Sequence, residues 1–170
     1  MDSVEFAIFE AFIGTISVVK RNGRIIGLNI TDRDVHEERR ALCLFYPEGI
    51  VSELSFKMMR TLLDRYLKGE RVVFDIDYDI SGLNPFTRKV LDELRRIPYG
   101  ETRSYGEIGR RVGSPMSGRA VGQAVGRNPI PIVIPCHRVI REDGSLGGFS
   151  LGEKLKKRLL FLEGITVKKP

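Results

Sequence analysis

Residues 134–140 read Ile-Pro-Cys-His-Arg-Val-Ile, and Ile132 and Val133 extend the apolar run upstream. The β-branched flanks predict an extended, strand-like segment. At its centre Cys136, His137 and Arg138 are expensive to bury without partners. A thiol acts as a nucleophile only as thiolate, and a neighbouring histidine and arginine are groups that lower a thiol's pKa. On a regular strand Cys136 and His137 would point to opposite faces. Either the chain turns at Pro135–Cys136, or a water relays between thiol and imidazole. An inert buried thiol is the commonest fate of a free cysteine, and the polar neighbours weigh against it here.

Downstream, a Gly-rich hairpin (Asp143–Gly148) leads to a helix from about Leu151 to Glu163, stopped by Gly164. Leu155, Leu159 and Leu162 form its buried stripe, with Lys154, Lys156, Lys157 and Arg158 outside. Glu163 lies at the C-terminal end, against the helix dipole. His137 is the one histidine of this half, so Glu163 is a candidate to orient it, as in nucleophile–base–orienter sets.

Upstream, Arg119–Arg127 reads as a short helix ended by Asn128-Pro129. Gly118, Ala120, Gly122, Ala124 and Gly126 leave one side nearly bare, although glycine in a helix costs ~1 kcal/mol relative to alanine. Val121 and Val125 can pack inward, which leaves the bare side for a nucleic-acid backbone, with Arg119 at its leading edge. Before it, Ser104 caps Tyr105–Val112 through a capping box with Glu107, and Gly113–Gly118 is a breaker. Two short helices so joined in a basic domain have the outline of a helix-turn-helix. Asn84-Pro85 starts a further helix through roughly Arg96, followed by a turn at Pro98-Tyr99-Gly100.

The first half reads as a small α+β unit. Phe6–Phe12, Thr15–Lys20 and Arg24–Ile30 are strands, the last two joined at Asn22-Gly23, a strong hairpin signal. Residues 31–51 carry little assignable pattern. Ser52 is expected to cap a helix to about Lys68, with Leu54, Met58, Leu62 and Tyr66 on one face and Gly69 at its end. Val72–Ile76 is expected to return as a strand, and Asp77–Pro85 to link two domains.

The 170 residues carry 28 Lys+Arg against 22 Asp+Glu. Residues 1–82 hold 11 basic and 14 acidic side chains, whereas 83–170 hold 17 and 8. The basic half therefore suits a polyanion and the acidic half does not. No apolar stretch approaches the roughly 20 residues of a membrane span, and the start lacks a signal-peptide pattern. A cytoplasmic protein is expected. Two cysteines give no disulfide framework, and Cys43 reads as a small core hydrophobe. Cys43, Cys136, His36 and His137 do not have zinc-site spacing. A single glutamine, Gln123, beside many Arg and Glu leans towards a thermophilic source.

Pro135-Cys136-His137-Arg138-Val139 resembles the active-site signature of the O6-alkylguanine-DNA alkyltransferases, or methylated-DNA–protein-cysteine methyltransferases. Tyr99-Gly100-Glu101, Ser104-Tyr105, Arg119-Ala120-Val121-Gly122, Asn128-Pro129, Gly147-Gly148-Phe149-Ser150 and Leu162-Glu163-Gly164 resemble the family in order and spacing over residues 84–170. The resemblance implies an α/β (α+β) chain. An N-terminal RNase H-like sheet-plus-helix domain would occupy 1–82, and a winged helix-turn-helix-like, mostly helical DNA-binding and acceptor domain 83–170.

It also implies roles. Cys136 would accept the alkyl group of O6-alkylguanine, and of O4-alkylthymine, once per molecule. His137 would be the base, Glu163 its orienter, and Asn128 a brace of the turn. Tyr105 would donate to the leaving guanine and crowd a phosphate. Arg119 would replace the flipped-out base, with Ala120 and Gly122 on the same DNA-facing helix, and Thr87 and Ser114 would contact phosphates. Val139, Ser150, Phe149 and Pro131 would shape the base pocket. The implied partner is double-stranded DNA carrying O6-alkylguanine, with no membrane, no metal, no cofactor and a monomeric protein. Phe149 stands where many members have tyrosine, so any contact through that hydroxyl is absent. Zinc ligands that some members carry in the N-terminal domain find no match at Cys43 and His36.

Of the rival readings, an alkyltransferase-like damage-binding protein would lack the acceptor cysteine. A helix-turn-helix regulator needs base-reading side chains that the Gly/Ala-rich helix barely offers. A cysteine hydrolase draws its histidine from elsewhere in the sequence.

Overall fold

Asn22 and Gly23 both take positive φ, 50° and 79°, the backbone of a two-residue type I′ turn whose twist matches the strands it joins. It closes β2 (Gly14–Arg21) onto β3 (Arg24–Thr31), and β2 also pairs antiparallel with β1 (Val4–Ala11). A two-residue β4 (Ile50–Val51) adds parallel to β1, giving the order β3-β2-β1-β4. The computed structural model describes residues 3–114 and 118–168, and it divides the chain into two compact units, Met1–Ile80 and Ser81–Pro170.

Both faces of the first sheet are covered, which is why Phe6–Phe9 is buried without alternation. Phe6, Ile8 and Val19 pack with Val35 and Leu42 of α1 (Val35–Phe45) and with Tyr46, which caps its C-terminus. Asp34 and Glu37 form the capping box of α1, the signal that its charged sequence obscured. On the other face Arg60 of α2 (Lys57–Leu67) lies over the Phe9 ring.

Several local expectations are corrected here. Ser52 caps nothing; Leu54–Phe56 is a 3-10 turn leading into α2, which buries Met59, Leu63, Tyr66 and Leu67. Leu54 and Met58 instead are 83% and 68% exposed. Val72–Ile76 forms no strand: side chains alternate in exposure, but no ladder is made there, and just beyond the segment Tyr78 makes an isolated bridge with Ile25. Cys43 is exposed rather than a core residue.

In the second unit the helix-start signals at Asn84 and Ser104 hold. Asn84 caps α3 (Pro85–Leu94) by accepting from Thr87 N, with Pro85 at the first turn. Ser104 caps α4 (Tyr105–Arg111) with the Glu107 box. α5 is Gly118–Gly126; of the breaker before it, residues 115–117 lie outside the described residues. Gly109 leaves room for the chain to turn back after α4, since a Cβ there would lie 2.9 Å from Ser114 O, while Val121 Cγ2 of α5 would be in ordinary contact at 3.6 Å. α6 (Glu153–Leu162) completes the unit. Its buried face is Lys156, Leu159 and Leu160, so Lys156, expected on the solvated side, is a correction. Asp143–Gly148 makes a tight turn, with Arg141 N donating to Ser145 O, but no hairpin ladder. Among the described residues no helix is long and apolar enough to cross a membrane.

Candidate active site

The Cys-His segment is not a strand. Cys136–Arg138 is one 3-10 turn, and pairing resumes only at β6 (Val139–Ile140), parallel to β5 (Arg103–Ser104). Of the two alternatives left open by the sequence, the chain takes the turn. Because Ser104 is both the end of β5 and the cap of α4, this short ladder also brings Tyr105 beside the Cys136 turn.

Asn128 builds the approach to the turn. Its Oδ1 accepts from Ile130 N (3.0 Å), and its Nδ2 donates to Ile134 O (2.7 Å). Between them Ile132 sits at φ 72°, a conformation that a β-branched residue adopts at a cost of roughly 1–3 kcal/mol. Asn128 and the bond from Ile134 N to Ile130 O (2.9 Å) hold it there. Ile130, Ile132 and Ile134 are all essentially buried.

The polar groups of the turn diverge. His137 Nε2 meets Glu163 Oε1 at 2.7 Å, and both side chains are fully buried. Arg138 grips the same carboxylate through Nε (2.9 Å) and Nη2 (3.0 Å) and donates from Nη1 to Ile97 O (2.7 Å). Gly100 N adds a fourth donor to Glu163 at 3.2 Å. Burial opposes the Glu163 charge, but hydrogen bonds from His137 and Arg138 win and hold its pKa at about 2. Arg138 thus serves the carboxylate. Burial lowers the His137 pKa, with Glu163 opposing.

Cys136 is 1% exposed. Burial pushes its thiol up to about 11, against a hydrogen bond from Asn128 and the charge of Lys156. This corrects the expectation of a thiol made acidic by its sequence neighbours: burial outweighs them, and the Arg138 guanidinium is committed to Glu163. Lys156, which sequence reasoning placed in solvent, donates to Val139 O (2.5 Å) and Gly148 O (3.1 Å).

A cleft of about 850 Å³ lies alongside, lined in part by Tyr105, Arg119, Gly122, Gln123, Phe149 and Ser150. Tyr105 connects it to the turn. Its hydroxyl donates to Gly148 O (3.3 Å), and burial, then the nearby Cys136, raise its pKa. Gly147, at φ 66°, has no room for a Cβ, which would fall 2.8 Å from the Tyr105 ring.

The other residues expected from the sequence are less uniformly placed. Arg119 and Ser150 are exposed, while Ala120, Phe149 and Ser114 are half-buried. Val139 and Pro131 are buried beside the turn rather than on the cleft. Thr87 is 1% exposed, so its side chain is not presented to a phosphate. On α5, Ala124 packs inward with Val121 and Val125, a correction to the bare face, which reduces to Gly118, Gly122 and Gly126 beside Arg119 and Gln123. Among the described residues no three His, Cys, Asp or Glu side chains are grouped to hold a metal ion.

A family model described as 6-O-methylguanine DNA methyltransferase, DNA binding domain, matches residues 85–165. The methylated-DNA–protein-cysteine methyltransferase of Mycolicibacterium paratuberculosis is 39% identical over 160 residues, 94% of this chain and 92% of that protein. Its namesake from Sulfolobus acidocaldarius is 37% identical over 164 residues, 96% of each. Among solved structures, Mycobacterium tuberculosis OGT in complex with DNA matches with a TM-score of 0.81 at 33% identity, over 94% of this chain and 92% of that one.

Proposed function

The chain belongs to the O6-methylguanine-DNA methyltransferase family, whose members repair DNA by moving an alkyl group onto a protein cysteine, and on that premise we propose that Cys136 is the acceptor. The observation that carries this reading is one turn holding Cys136 and His137, with His137 backed by the Glu163–Arg138 pair, beside a cleft that Tyr105 and Arg119 line. DNA-binding and acceptor chemistry fall to residues 83–170, and residues 1–82 form the RNase H-like partner domain.

In the resting site the thiol is protonated and the imidazole neutral at pH 7, since burial raises the one pKa and lowers the other. The Glu163 carboxylate keeps the ring proton on Nε2, so Nδ1 is the basic nitrogen. Sγ attacks the alkyl carbon on O6 of guanine. The S–C bond forms as the C–O bond breaks, and the thiol proton passes through water to His137. Glu163, ionised throughout, balances the imidazolium. The departing guanine keeps the bonding pair, and Tyr105, held as a phenol, donates to it. A thioether has no easy route back to thiol, so each molecule acts once.

O6 is hidden within a duplex, so the base must be extruded into the protein. Arg119 on the exposed face of α5 fills the space it leaves. Asn128 keeps the turn in register, and backbone groups of Cys136 and Val139, with Ser150, read the guanine edge. O4-alkylthymine presents the same kind of alkyl–oxygen bond and is a second substrate.

Duplex DNA carrying O6-[methyl-³H]guanine tests the reading. One labelled methyl per molecule should appear on the peptide bearing Cys136, and Cys136→Ser should abolish transfer while DNA binding persists. Label on another residue, or repeated turnover, would falsify it.

A further inference from the structure

The Glu163 side chain leaves the backbone at the end of α6, where the last carbonyls of a helix have no partner within it. Leu162 O is one of these, and it accepts from the Tyr99 hydroxyl at 2.9 Å. That carbonyl lies in one peptide plane with Glu163 N, so the phenol fixes the plane from which the carboxylate departs. Water or any other donor could satisfy a helix-end carbonyl. This one precedes the residue that meets His137 Nε2 at 2.7 Å.

The turn that carries Tyr99, between α3 and β5, completes the seat. Gly100, at φ 81°, sets its N–H on Glu163 Oε2 (3.2 Å), and Ile97 O accepts from Arg138 Nη1 (2.7 Å). The Arg138 guanidinium carbon lies 5.9 Å from the centroid of the Tyr99 ring, within cation–π range. Residues 97–100 therefore hold both members of the Glu163–Arg138 pair. Tyr99 reaches both with one side chain: its ring meets the guanidinium, and its hydroxyl meets the peptide that carries the carboxylate.

We propose that Tyr99 is a positioning residue for alkyl transfer: through Leu162 O it aims the Glu163 carboxylate at Nε2 of His137, and so keeps the imidazole in the tautomer whose basic nitrogen is Nδ1. This rests on the reading of Cys136 as acceptor. The sequence hides the role, since 63 residues separate Tyr99 from Leu162.

The test uses the full chain and its Tyr99→Phe variant, which keeps the ring and loses a single hydrogen bond, a change that a folded domain tolerates. The first readout is the pair of ring-nitrogen NMR signals of His137 in ¹⁵N-histidine-labelled protein at about pH 8, where an unperturbed imidazole is already neutral. The other histidine, His36, is exposed on α1, and His36→Gln in both proteins removes its signals. The unsubstituted Tyr99 should give two well-separated signals, one protonated nitrogen and one bare. Tyr99→Phe should draw them together as the second tautomer becomes populated. The second readout is transfer from free O6-benzylguanine to Cys136, followed by mass spectrometry, which keeps duplex binding out of the measurement. Tyr99→Phe should be slower by about tenfold, the scale of a small misplacement of a catalytic group. In a Glu163→Gln background the same substitution should cost less than about twofold, because residues that act through one another are not additive. A loss of stability with unchanged ring-nitrogen signals would make Tyr99 a helix cap alone and overturn the proposal. An unchanged rate, or an equal loss in the Glu163→Gln background, overturns it as well. Should the Glu163→Gln proteins not fold, the ring-nitrogen signals and the single-variant rate decide. No benzyl group on Cys136 in the unsubstituted protein would instead defeat the acceptor reading itself.

Discussion

Nε2 of His137 and Oε1 of Glu163 stand 2.7 Å apart, and both side chains are fully buried. The same carboxylate also accepts two hydrogen bonds from the buried Arg138 guanidinium. Glu163→Gln keeps the shape but removes the charge. It should cost about 3–5 kcal/mol of stability, as breaking one side of a buried pair does, and read as a fall in the urea midpoint. Transfer to Cys136 should drop by roughly 100-fold or more, the scale of a lost acid–base function. A variant within threefold of the parent rate would show that His137 needs no carboxylate behind it.

Acid should unfold the protein through this network. The Glu163 pKa falls from 4.5 to about 2 on folding, so its contribution is fully present above about pH 4.5 and is lost as the pH falls towards 2. The shift corresponds to about 3 kcal/mol. His137 acts in the same direction: its lowered pKa means that the unfolded chain takes up the proton first as pH drops below 6.5. Urea midpoints at pH 7, 5 and 3 should decline steeply over the lower interval. The parent and Glu163→Gln should then converge in stability near pH 2, and parallel curves would refute the assignment.

What could be read from the sequence was what local chemistry decides. Asn22-Gly23, Asn84-Pro85 and Ser104 with Glu107 each specify a backbone within four residues, and each forms as expected. The Glu163–His137 link was also legible, because a carboxylate set against a helix dipole and a lone histidine leave few alternatives. The misreadings share one cause, which is that burial depends on the tertiary partner. Lys156 sits in a run of cations and looks solvated until Val139 and Gly148 are placed around it. Arg138 lies two residues from Cys136 in sequence, but its guanidinium goes to Glu163, so proximity along the chain misjudged the thiol. Across residues 54–67 the apolar residues allow two faces, and the fold buries Met59 and Leu63 and leaves Leu54 and Met58 exposed.

Arg119 is exposed on α5 and lines the cleft without joining the Cys136 turn. Its role is therefore expected in extrusion alone. Arg119→Ala should slow repair of O6-methylguanine in duplex DNA by about tenfold or more, a loss of about 1.4 kcal/mol in transition-state stabilisation. Transfer from free O6-benzylguanine should stay within about twofold on the same scale. Equal losses on both substrates would remove the arginine from base displacement and assign it to the site itself.

Gly147 is required twice over, by its φ of 66° and by Tyr105, whose ring and hydroxyl would lie 2.8 and 2.9 Å from a Cβ. Gly147→Ala should destabilise the protein by about 1–3 kcal/mol, the cost of a strained backbone conformation. It should also displace the Tyr105 hydroxyl from Gly148 O and slow transfer from free O6-benzylguanine. Unchanged kinetics in a folded variant would show that the Tyr105 position is not critical to the leaving group.

The three glycines of the exposed face of α5 fall one turn apart, and the protein itself gives little reason for them. A Cβ at Gly118 or Gly126 would meet nothing within 4 Å, and one at Gly122 would make ordinary contact with Tyr105 at 3.8 Å. None has positive φ. Gly122 lies within the helix, where replacement by alanine should gain about 1 kcal/mol from helix propensity. Glycine is then best explained by a surface that must come closer than a methyl group allows. Gly122→Ala should raise the thermal midpoint yet weaken binding to duplex DNA by about tenfold or more, equivalent to about 1.4 kcal/mol. Transfer from the free base should be retained, because Cys136, His137 and Glu163 are untouched. Thermal melts, fluorescence anisotropy with a labelled duplex and the free-base assay on one preparation separate the three effects. A stabilised variant that binds duplex DNA as tightly as the parent would take α5 off the DNA-facing surface.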